Sequence, residues 1–498
     1  MDSVEPSPYT QLEARFQRLL TLGEAASILH WDSSTMMPPG GATGRAAQIA
    51  EMSAVTHGLL CAPETGDLLK AAEDANLDDW QRANLDLMRR RHAHATALTE
   101  AQVVALSHAS SACETVWRKA RAENDFDAVR APLETLLDLV RDSARAKSDA
   151  LGLSPYDALL DEYEPGGRSA DIDVLFADLE DFLPGFLTDV IEHQSTSTAN
   201  APKGPFPIEA QRQLGIKLMK SLGFDFDHGR LDISLHPFCG GTVDDVRITT
   251  RYDKSDYASA LMGVLHETGH AMYERGLPDD WRYQPVGGAL GMAMHESQSL
   301  LIEMQVCRSL PFLEYAAPLM AEAFQGSGPQ WQPGNLHTLL TKVTPGMIRV
   351  DADEVTYPLH VILRYRLEQA MISGDINVVD LPAAWDDGME RLLGIRPAND
   401  REGCMQDIHW YDGAWGYFPT YTLGAMTAAQ LYISARQARP EIAEAIPKGD
   451  FKPLMDWLGA NVHSLGSSLT APDLLKRATG KYLNTDDFKA HLRYRYLG

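Results

Sequence analysis

The sequence has little that would support disulfides, a membrane span or secretion. Its five cysteines are scattered, odd in number and without a CxxC pair, so neither a disulfide framework nor a cysteine zinc site is expected. No stretch reaches the roughly 18 apolar residues of a membrane helix. The start, MDSVEPSPYT, lacks the positive region and apolar core of a signal peptide. These absences predict a cytoplasmic protein.

Basic residues are also scarce relative to acidic ones. The 69 Asp and Glu residues exceed the 44 Lys and Arg residues, and the formal charge of -25 argues against nucleic acid or an anionic membrane as partner. A hydrophobic content of 44% with 23% charged residues is typical of a globular protein with a large core. A length of 498 residues suggests two or three units, although an all-helical enzyme could form one body with two lobes.

Strand patterns are few, and helical patterns dominate. Apolar residues recur at spacings of three and four in residues 10–32, 126–152 and 379–394, which predicts helices there. The best alternating run, Val246 to Tyr252, follows a Gly-Gly and an Asp-Asp pair and predicts a short strand. No internal repeat is present. The expected fold is mainly α with a small β-sheet.

One change in composition divides the chain. Residues 192–207 are small, polar and rich in proline, which predicts a loop. This loop separates a helical N-terminal lobe, residues 1–191, from residues 208–498, which hold the metal-site motif described next. We expect both lobes to belong to one catalytic domain, residues 1–498.

The stretch GVLHETGHAMYERG, residues 263–276, places chemistry on a predicted helix. Ser255 or Asp256 can cap this helix, and Gly276 followed by a proline ends it. His266 and His270 are then one turn apart on the same face, where two imidazoles can converge on one ion.

Glu267 directly follows the first histidine, which completes an HExxH motif. In this motif the histidines bind zinc and the glutamate takes a proton from a water on the metal. Zinc suits the task because it lowers the pKa of bound water to about 7 and polarises a carbonyl. Cobalt or manganese could occupy such a site as well.

A catalytic zinc site needs a third protein ligand. Residues 288–309 predict another helix, which offers His295, Glu296 and Glu303. Glu296 lies among apolar residues, where an unpaired charge is costly to bury, and is the predicted third ligand. Glu303 is the alternative.

Several motifs together resemble the M32 family, the Taq-type metallocarboxypeptidases. Besides HExxH, they are HESQS at 295–299, HPF at 236–238, DVRIT at 245–249, IRVDADEVTY at 348–357 and GCMQDIHW at 403–410. The resemblance extends to HWDSSTMMPPGGATGRAAQIA near the start and to the C-terminal tail. It implies a mostly helical, saddle-like zincin fold with a deep central groove, usually a homodimer, that removes single residues from peptide C-termini.

A carboxypeptidase must bind the free carboxylate of its substrate. A planar guanidinium can hold both oxygens, and the resemblance associates the arginine of IRVDAD, Arg349, with this role. Arg247 in DVRIT is the second candidate. The alternative is a structural ion pair between Arg349 and the neighbouring Asp351, Asp353 or Glu354.

Three further residues are candidates near the reacting bond. His409 could donate to the oxyanion or orient the substrate, with Asp407 fixing its tautomer, or it could be an ordinary core histidine. Tyr421 could steady the tetrahedral intermediate. His236 could line the groove or simply mark a turn. The predicted strand could align the peptide by main-chain hydrogen bonds if it lies at the edge of its sheet.

The predicted function is metal-dependent hydrolysis of the C-terminal peptide bond, with Glu267 as general base. A helical zinc oligoendopeptidase would keep the metal ligands but needs no arginine for a terminal carboxylate. A non-catalytic peptide-binding protein is the third possibility, which the complete set of metal-site residues disfavours.

Overall fold

The computed structural model describes residues 6–498, so the first half of MDSVEPSPYT lies outside it. The N-terminal part is entirely helical. Its helices are α1 (Pro8–Thr35), α2 (Ala42–Cys61), α3 (Pro63–Ala71), α4 (Asp79–Thr96), α5 (Glu100–Glu123), α6 (Phe126–Leu151), α7 (Pro155–Tyr163), α8 (Ser169–Gln194) and α9 (Ile208–Leu222).

Three strands follow, namely β1 (Gly229–Ile233), β2 (Cys239–Thr242) and β3 (Asp245–Thr250). The remaining helices are α10 (Tyr257–Arg275), α11 (Gly291–Leu300), α12 (Leu310–Ala323), α13 (Pro333–Leu340), α14 (Tyr357–Ser373), α15 (Leu381–Leu393), α16 (His409–Asp412), α17 (Pro419–Ala438), α18 (Glu441–Ala445), α19 (Lys452–Asn461), α20 (Ala471–Thr479) and α21 (Thr485–Tyr496). A π-helical segment, Leu301–Cys307, continues α11.

The predicted mainly-α fold with a small sheet is confirmed. Helices α1, α6 and α15 coincide closely with the three segments of helical periodicity. Residues 195–207 contain neither helix nor strand, so the loop begins three residues later than predicted, because residues 192–194 complete α8. Across residues 6–498, no helix combines the length and the apolar character that a membrane crossing requires.

The sheet corrects one expectation about the predicted strand. The strand order is β1-β3-β2, with β1 parallel and β2 antiparallel to β3, so β3 is central and not an edge strand. Arg247 of β3 pairs with Arg230 on one side and Gly240 on the other. Because both neighbours use its backbone groups, β3 cannot align a peptide by main-chain hydrogen bonds. The free edges of the sheet belong to β1 and β2.

Two large apolar clusters form the core. The first joins α5–α8 to α14–α17 and α21, and the second joins α9–α13 to α17–α20. The first cluster therefore contains residues from both sides of the 192–207 loop. Helix α17 contributes to both clusters and packs along α11, so these two helices cross the centre of the molecule where the candidate site lies.

Candidate active site

Helix α10 carries the HExxH motif. The Asp256 side chain accepts hydrogen bonds from the backbone N–H groups of Ala258 and Ser259, and Gly276 caps the other end. Between these ends, His266 and His270 lie on one face with their ring centroids 5.0 Å apart. The helix thus presents two imidazoles side by side, as the spacing predicts.

Glu296 of α11 meets both imidazoles. Its Oε2 lies 3.9 Å from Nε2 of His266 and 3.4 Å from Nε2 of His270. Within residues 6–498, these three side chains are the one group whose donor atoms converge closely enough to hold a metal ion. Donor atoms about 2.1 Å from a tetrahedral metal are roughly 3.4 Å apart, so this donor set fits a divalent ion.

The other ring nitrogens are held by acceptors outside the converging group. Nδ1 of His266 lies 2.9 Å from Oε2 of Glu303, and Nδ1 of His270 lies 3.0 Å from the backbone oxygen of His295. These contacts place a proton on each Nδ1 and leave each Nε2 free to coordinate. Glu303, the alternative third ligand, thus lies behind His266, in the π-helical segment.

Two glycines allow the three helices to approach so closely. A Cβ at Gly269 of α10 would lie 2.4 Å from the backbone oxygen of Gln298 on α11. A Cβ at Gly424 of α17 would lie 2.9 Å from Cβ of Glu296. Helix α11 is therefore pressed between α10 and α17, which sets the position of Glu296.

Glu267 lies beside this group. Within residues 6–498, its carboxylate makes no ion pair and no hydrogen bond to another side chain. Its side chain lines the active-site cavity, although only 7% of the residue is exposed. Burial raises the pKa of Glu267 to about 7. A carboxylate with a pKa near neutrality can both accept and return a proton, which is what a general base at this position requires.

The active-site cavity has a volume of about 410 Å³ and is lined by His266, Glu267, Glu296, Arg349 and Tyr421, among others. Arg349 is 6% exposed. Its Nε and Nη2 donate to the two carboxylate oxygens of Asp407 at 2.9 and 3.0 Å, and Nη1 donates to the Tyr357 hydroxyl at 3.3 Å. The ion pair therefore involves Asp407, and the alternative pairing with Asp351, Asp353 or Glu354 is wrong.

Asp407 also receives a second guanidinium. Arg364, fully buried on α14, donates from Nη1 to Oδ2 of Asp407 at 3.1 Å. One carboxylate thus faces two guanidiniums, whose charges hold its pKa well below the usual range despite burial. The Arg349–Asp407–Arg364 group carries a net positive charge against the wall of the cavity.

The expected contact between Asp407 and His409 is wrong. Both oxygens of Asp407 bond to arginines, and Nδ1 of His409 is buried without a hydrogen-bond partner among residues 6–498. Nε2 of His409 instead lies 3.4 Å from the Tyr421 hydroxyl. Burial lowers the pKa of His409 to about 3, so its imidazole is neutral.

Arg247 and His236 lie further away. Arg247 pairs with Asp245 and lies 4.5 Å over the ring of Trp31 on α1, and neither Arg247 nor His236 is among the lining residues of the cavity. The side chain of His236 is exposed, next to Pro237, which does line the cavity.

Sequence reasoning assigned no role to several residues around the site. Arg308 lines the cavity and donates to Oε1 of Glu303 at 2.7 Å, and Tyr357 contacts Arg349. Nε2 of His295 donates to Oε1 of Glu274 at 2.8 Å, and its ring stacks on His270 with centroids 4.5 Å apart. Tyr357 ends the IRVDADEVTY motif and His295 begins HESQS, so two of the motifs pointed to these positions.

Comparisons with known proteins agree with this geometry. Residues 11–496 match the family described as carboxypeptidase Taq (M32) metallopeptidase. The chain is 36% identical to thermostable carboxypeptidase 1 of Thermus thermophilus, over 97% of this chain and 98% of that protein. It is 33% identical to carboxypeptidase 1 of Bacillus subtilis, over 96% of each.

Solved structures resemble the whole fold. Metallocarboxypeptidase 1 of Trypanosoma cruzi superposes with a TM-score of 0.97 at 40% identity, over 99% of each chain. An apo-Mg structure of Pyrococcus furiosus carboxypeptidase superposes with a TM-score of 0.93 at 34% identity, also over 99% of each chain. The oligoendopeptidase and non-catalytic alternatives are not favoured. The chain belongs to the carboxypeptidase Taq (M32) family of metallopeptidases and is a metal-dependent carboxypeptidase that acts on peptides.

Proposed function

We propose that His266, His270 and Glu296 hold the catalytic metal and that this metal is zinc. Two imidazoles and one carboxylate form a donor set that zinc prefers, with cobalt and manganese as alternatives. The single observation that carries this proposal is the approach of both Nε2 atoms to Oε2 of Glu296, at 3.9 and 3.4 Å. Glu303 and the His295 carbonyl support it by fixing both rings.

Glu267 is the proposed general base. When bound, the metal polarises the scissile carbonyl and makes water more acidic. Glu267 accepts the proton of the attacking water and passes it to the departing amine. Its place in the cavity wall, next to the ligand His266, suits both steps.

Arg349 is the proposed ligand of the substrate's terminal carboxylate. With Arg364, it supplies two guanidiniums against the single carboxylate of Asp407, and a substrate carboxylate would neutralise the excess charge. Asp407 occupies Nε and Nη2, so the Nη1 atom beside Tyr357 is the donor for substrate. Arg349 thus serves as both an ion-pair partner and a binding group.

Tyr421 is proposed to donate from its hydroxyl to the tetrahedral intermediate. It lines the cavity, and its ring centroid is 4.9 Å from the Arg349 guanidinium carbon. His409 then acts as a positioning residue, because its Nε2 contacts the Tyr421 hydroxyl and orients it. His236 and Arg247 as substrate contacts stay predictions, as do the homodimer, the single domain over residues 1–498 and the cytoplasmic location.

Paired peptides test these roles, one with a free C-terminus and one amidated. Zinc-loaded protein should release single residues from the free peptide alone, and chelator-treated protein should release none. Arg349→Gln should lower kcat/KM on the free peptide by about tenfold or more, because one charge-assisted hydrogen bond contributes about 1.5–3 kcal/mol. Internal cleavage of both peptides would contradict the carboxylate role.

Glu267→Gln isolates the base. The variant should bind zinc as tightly as the wild type but lose turnover by about 100-fold or more, since general base catalysis contributes 10²–10⁴-fold. Exposed Glu209 on α9 offers a matched control, and Glu209→Gln should keep full activity. Wild-type turnover in Glu267→Gln would show that the base is another group.

A further inference from the structure

A second cavity, of about 490 Å³, lies behind the wall of the active site. It is bounded by the start of α12, the end of α17 and the end of α21. Gln305 lines both this cavity and the active-site cavity. The size is typical of a small-molecule site, and none of the roles proposed above uses it.

The charge of this cavity is opposite to that of the whole chain. Its lining includes the cations Arg436 and Arg495 and no Asp or Glu within residues 6–498, although the chain carries a formal charge of -25. His337 and His491 also line it, and burial lowers the pKa of both, so their imidazoles are neutral. The first turn of α12 also faces it and adds the positive end of a helix dipole.

Arg436 is the cation most available to a ligand. Arg495 is already compensated, because its Nη1 donates to Oε2 of Glu354 at 2.9 Å. Arg436 is exposed, and its guanidinium carbon lies 5.6 Å from the ring centroid of Tyr432. Within residues 6–498, it forms no ion pair. Arg439, three residues further on, differs because it pairs with Glu441.

The rest of the lining is mostly apolar, with Leu310, Tyr432, Ile433 and Ile446 on its sides. Gln305 and Ser309 are its uncharged polar exceptions. Gln305 is 2% exposed, and its Oε1 has no hydrogen-bond partner among the described residues. A buried acceptor without a partner is costly, so the ammonium group of a free amino acid would be stabilised here, whereas a fatty acid brings no donor.

We propose that the second cavity binds a small carboxylic acid with an aliphatic body. The carboxylate pairs with Arg436 near the start of α12, and the aliphatic part contacts Leu310, Tyr432 and Ile446. Free aliphatic amino acids, which a carboxypeptidase releases, have this chemistry, and so do short fatty acids.

Occupancy of this cavity is coupled to the active site through their shared wall. Oε1 of Glu354 accepts from His491 at 2.8 Å and from Gln305 at 3.1 Å, while Oε2 accepts from Arg495. An anion beside His491 and Arg495 competes with Glu354 for these donors. Glu354 also lines the active-site cavity, so a bound acid should change kcat. The acid does not occupy the active-site cavity, so it should not compete with the peptide.

The binding test uses the zinc-loaded enzyme and titration calorimetry with 4-methylpentanoate. Arg436→Gln should weaken binding by about tenfold or more, the equivalent of a lost charged hydrogen bond. The matched variant Arg439→Gln should bind as the wild type does, and uncharged 4-methylpentanamide should not bind. Equal affinity in Arg436→Gln, as expected for an acid held only in the active site, would overturn the proposal.

L-leucine separates the two sources of ligand. Arg436-dependent binding of leucine assigns the cavity to free amino acids, whereas binding of 4-methylpentanoate alone assigns it to short fatty acids. Coupling predicts that the bound acid lowers kcat in the wild type and in Arg439→Gln, and not in Arg436→Gln. Binding that leaves kcat unchanged would overturn the coupling.

Discussion

Gly424→Ala tests whether α17 sets the position of Glu296. The added methyl carbon would lie 2.9 Å from Cβ and 3.0 Å from Cγ of Glu296, and 3.2 Å from the Ala293 oxygen. Carbon atoms in contact are about 3.5–4.0 Å apart, so Glu296 must move by roughly 0.5 Å. Metal sites tolerate deviations of about 0.2 Å in ligand distance.

The expected loss has two parts. Overpacking costs about 1–3 kcal/mol, and the helical preference for alanine over glycine returns about 0.5–1 kcal/mol, so the free energy of unfolding should fall by at most about 2.5 kcal/mol. Zinc affinity should fall by about tenfold or more, comparable to the loss of a residue that supports a ligand. Chelator competition measures the affinity, and urea unfolding measures the stability.

Gly23→Ala is the matched control, because Gly23 lies within α1 and a Cβ there has nothing within 4 Å. It should leave zinc affinity unchanged and raise stability by about 0.5–1 kcal/mol. If Gly424→Ala kept wild-type zinc affinity, the reasoning that α17 positions Glu296 would be refuted.

Two further predictions concern buried carboxylates. Glu303→Gln removes the negative charge that accepts from Nδ1 of His266 and should weaken zinc binding by about 10–100-fold in chelator competition. Activity should recover at saturating zinc. An unchanged zinc affinity would contradict the supporting role of Glu303. Asp161 accepts from Arg90 at 2.7 Å and His94 at 2.9 Å, and although burial raises its pKa, these contacts hold the pKa below the usual range. A depressed pKa stabilises the folded state above the unfolded pKa of about 3.9, so the stability lost in Asp161→Asn should be full at pH 7 and shrink as pH falls below about 4. Urea unfolding at several pH values checks this, and a constant difference would be contrary evidence.

Local sequence was sufficient for several helices, for strand β3 and for two of the three metal ligands. The cap at Asp256 and the four-residue spacing of His266 and His270 act within one helix, where geometry is set by 3.6 residues per turn. The same holds for the helical periodicity of α1, α6 and α15. The sequence favoured Glu296 and kept Glu303 as the alternative, because an acid within an apolar helix needs a partner.

Contacts between distant segments were decided by the tertiary structure. Sequence placed Asp407 beside His409, but packing turned its carboxylate to Arg349 and Arg364, which lie 58 and 43 residues away along the chain. The central position of β3 is a second example. It results from the pairing of β1 with β3, which the alternating pattern of β3 does not encode.

The sequence by itself thus determined the helices, the strand and the residues able to bind a metal, because each depends on neighbours within a turn or two. Only the tertiary structure decided between Glu296 and Glu303 at the converging donors. Both glutamates lie on the same continuous helical run, and the close approach of α17 at Gly424 fixes which one faces the histidines. That approach depends on how α10, α11 and α17 pack, which no local pattern encodes.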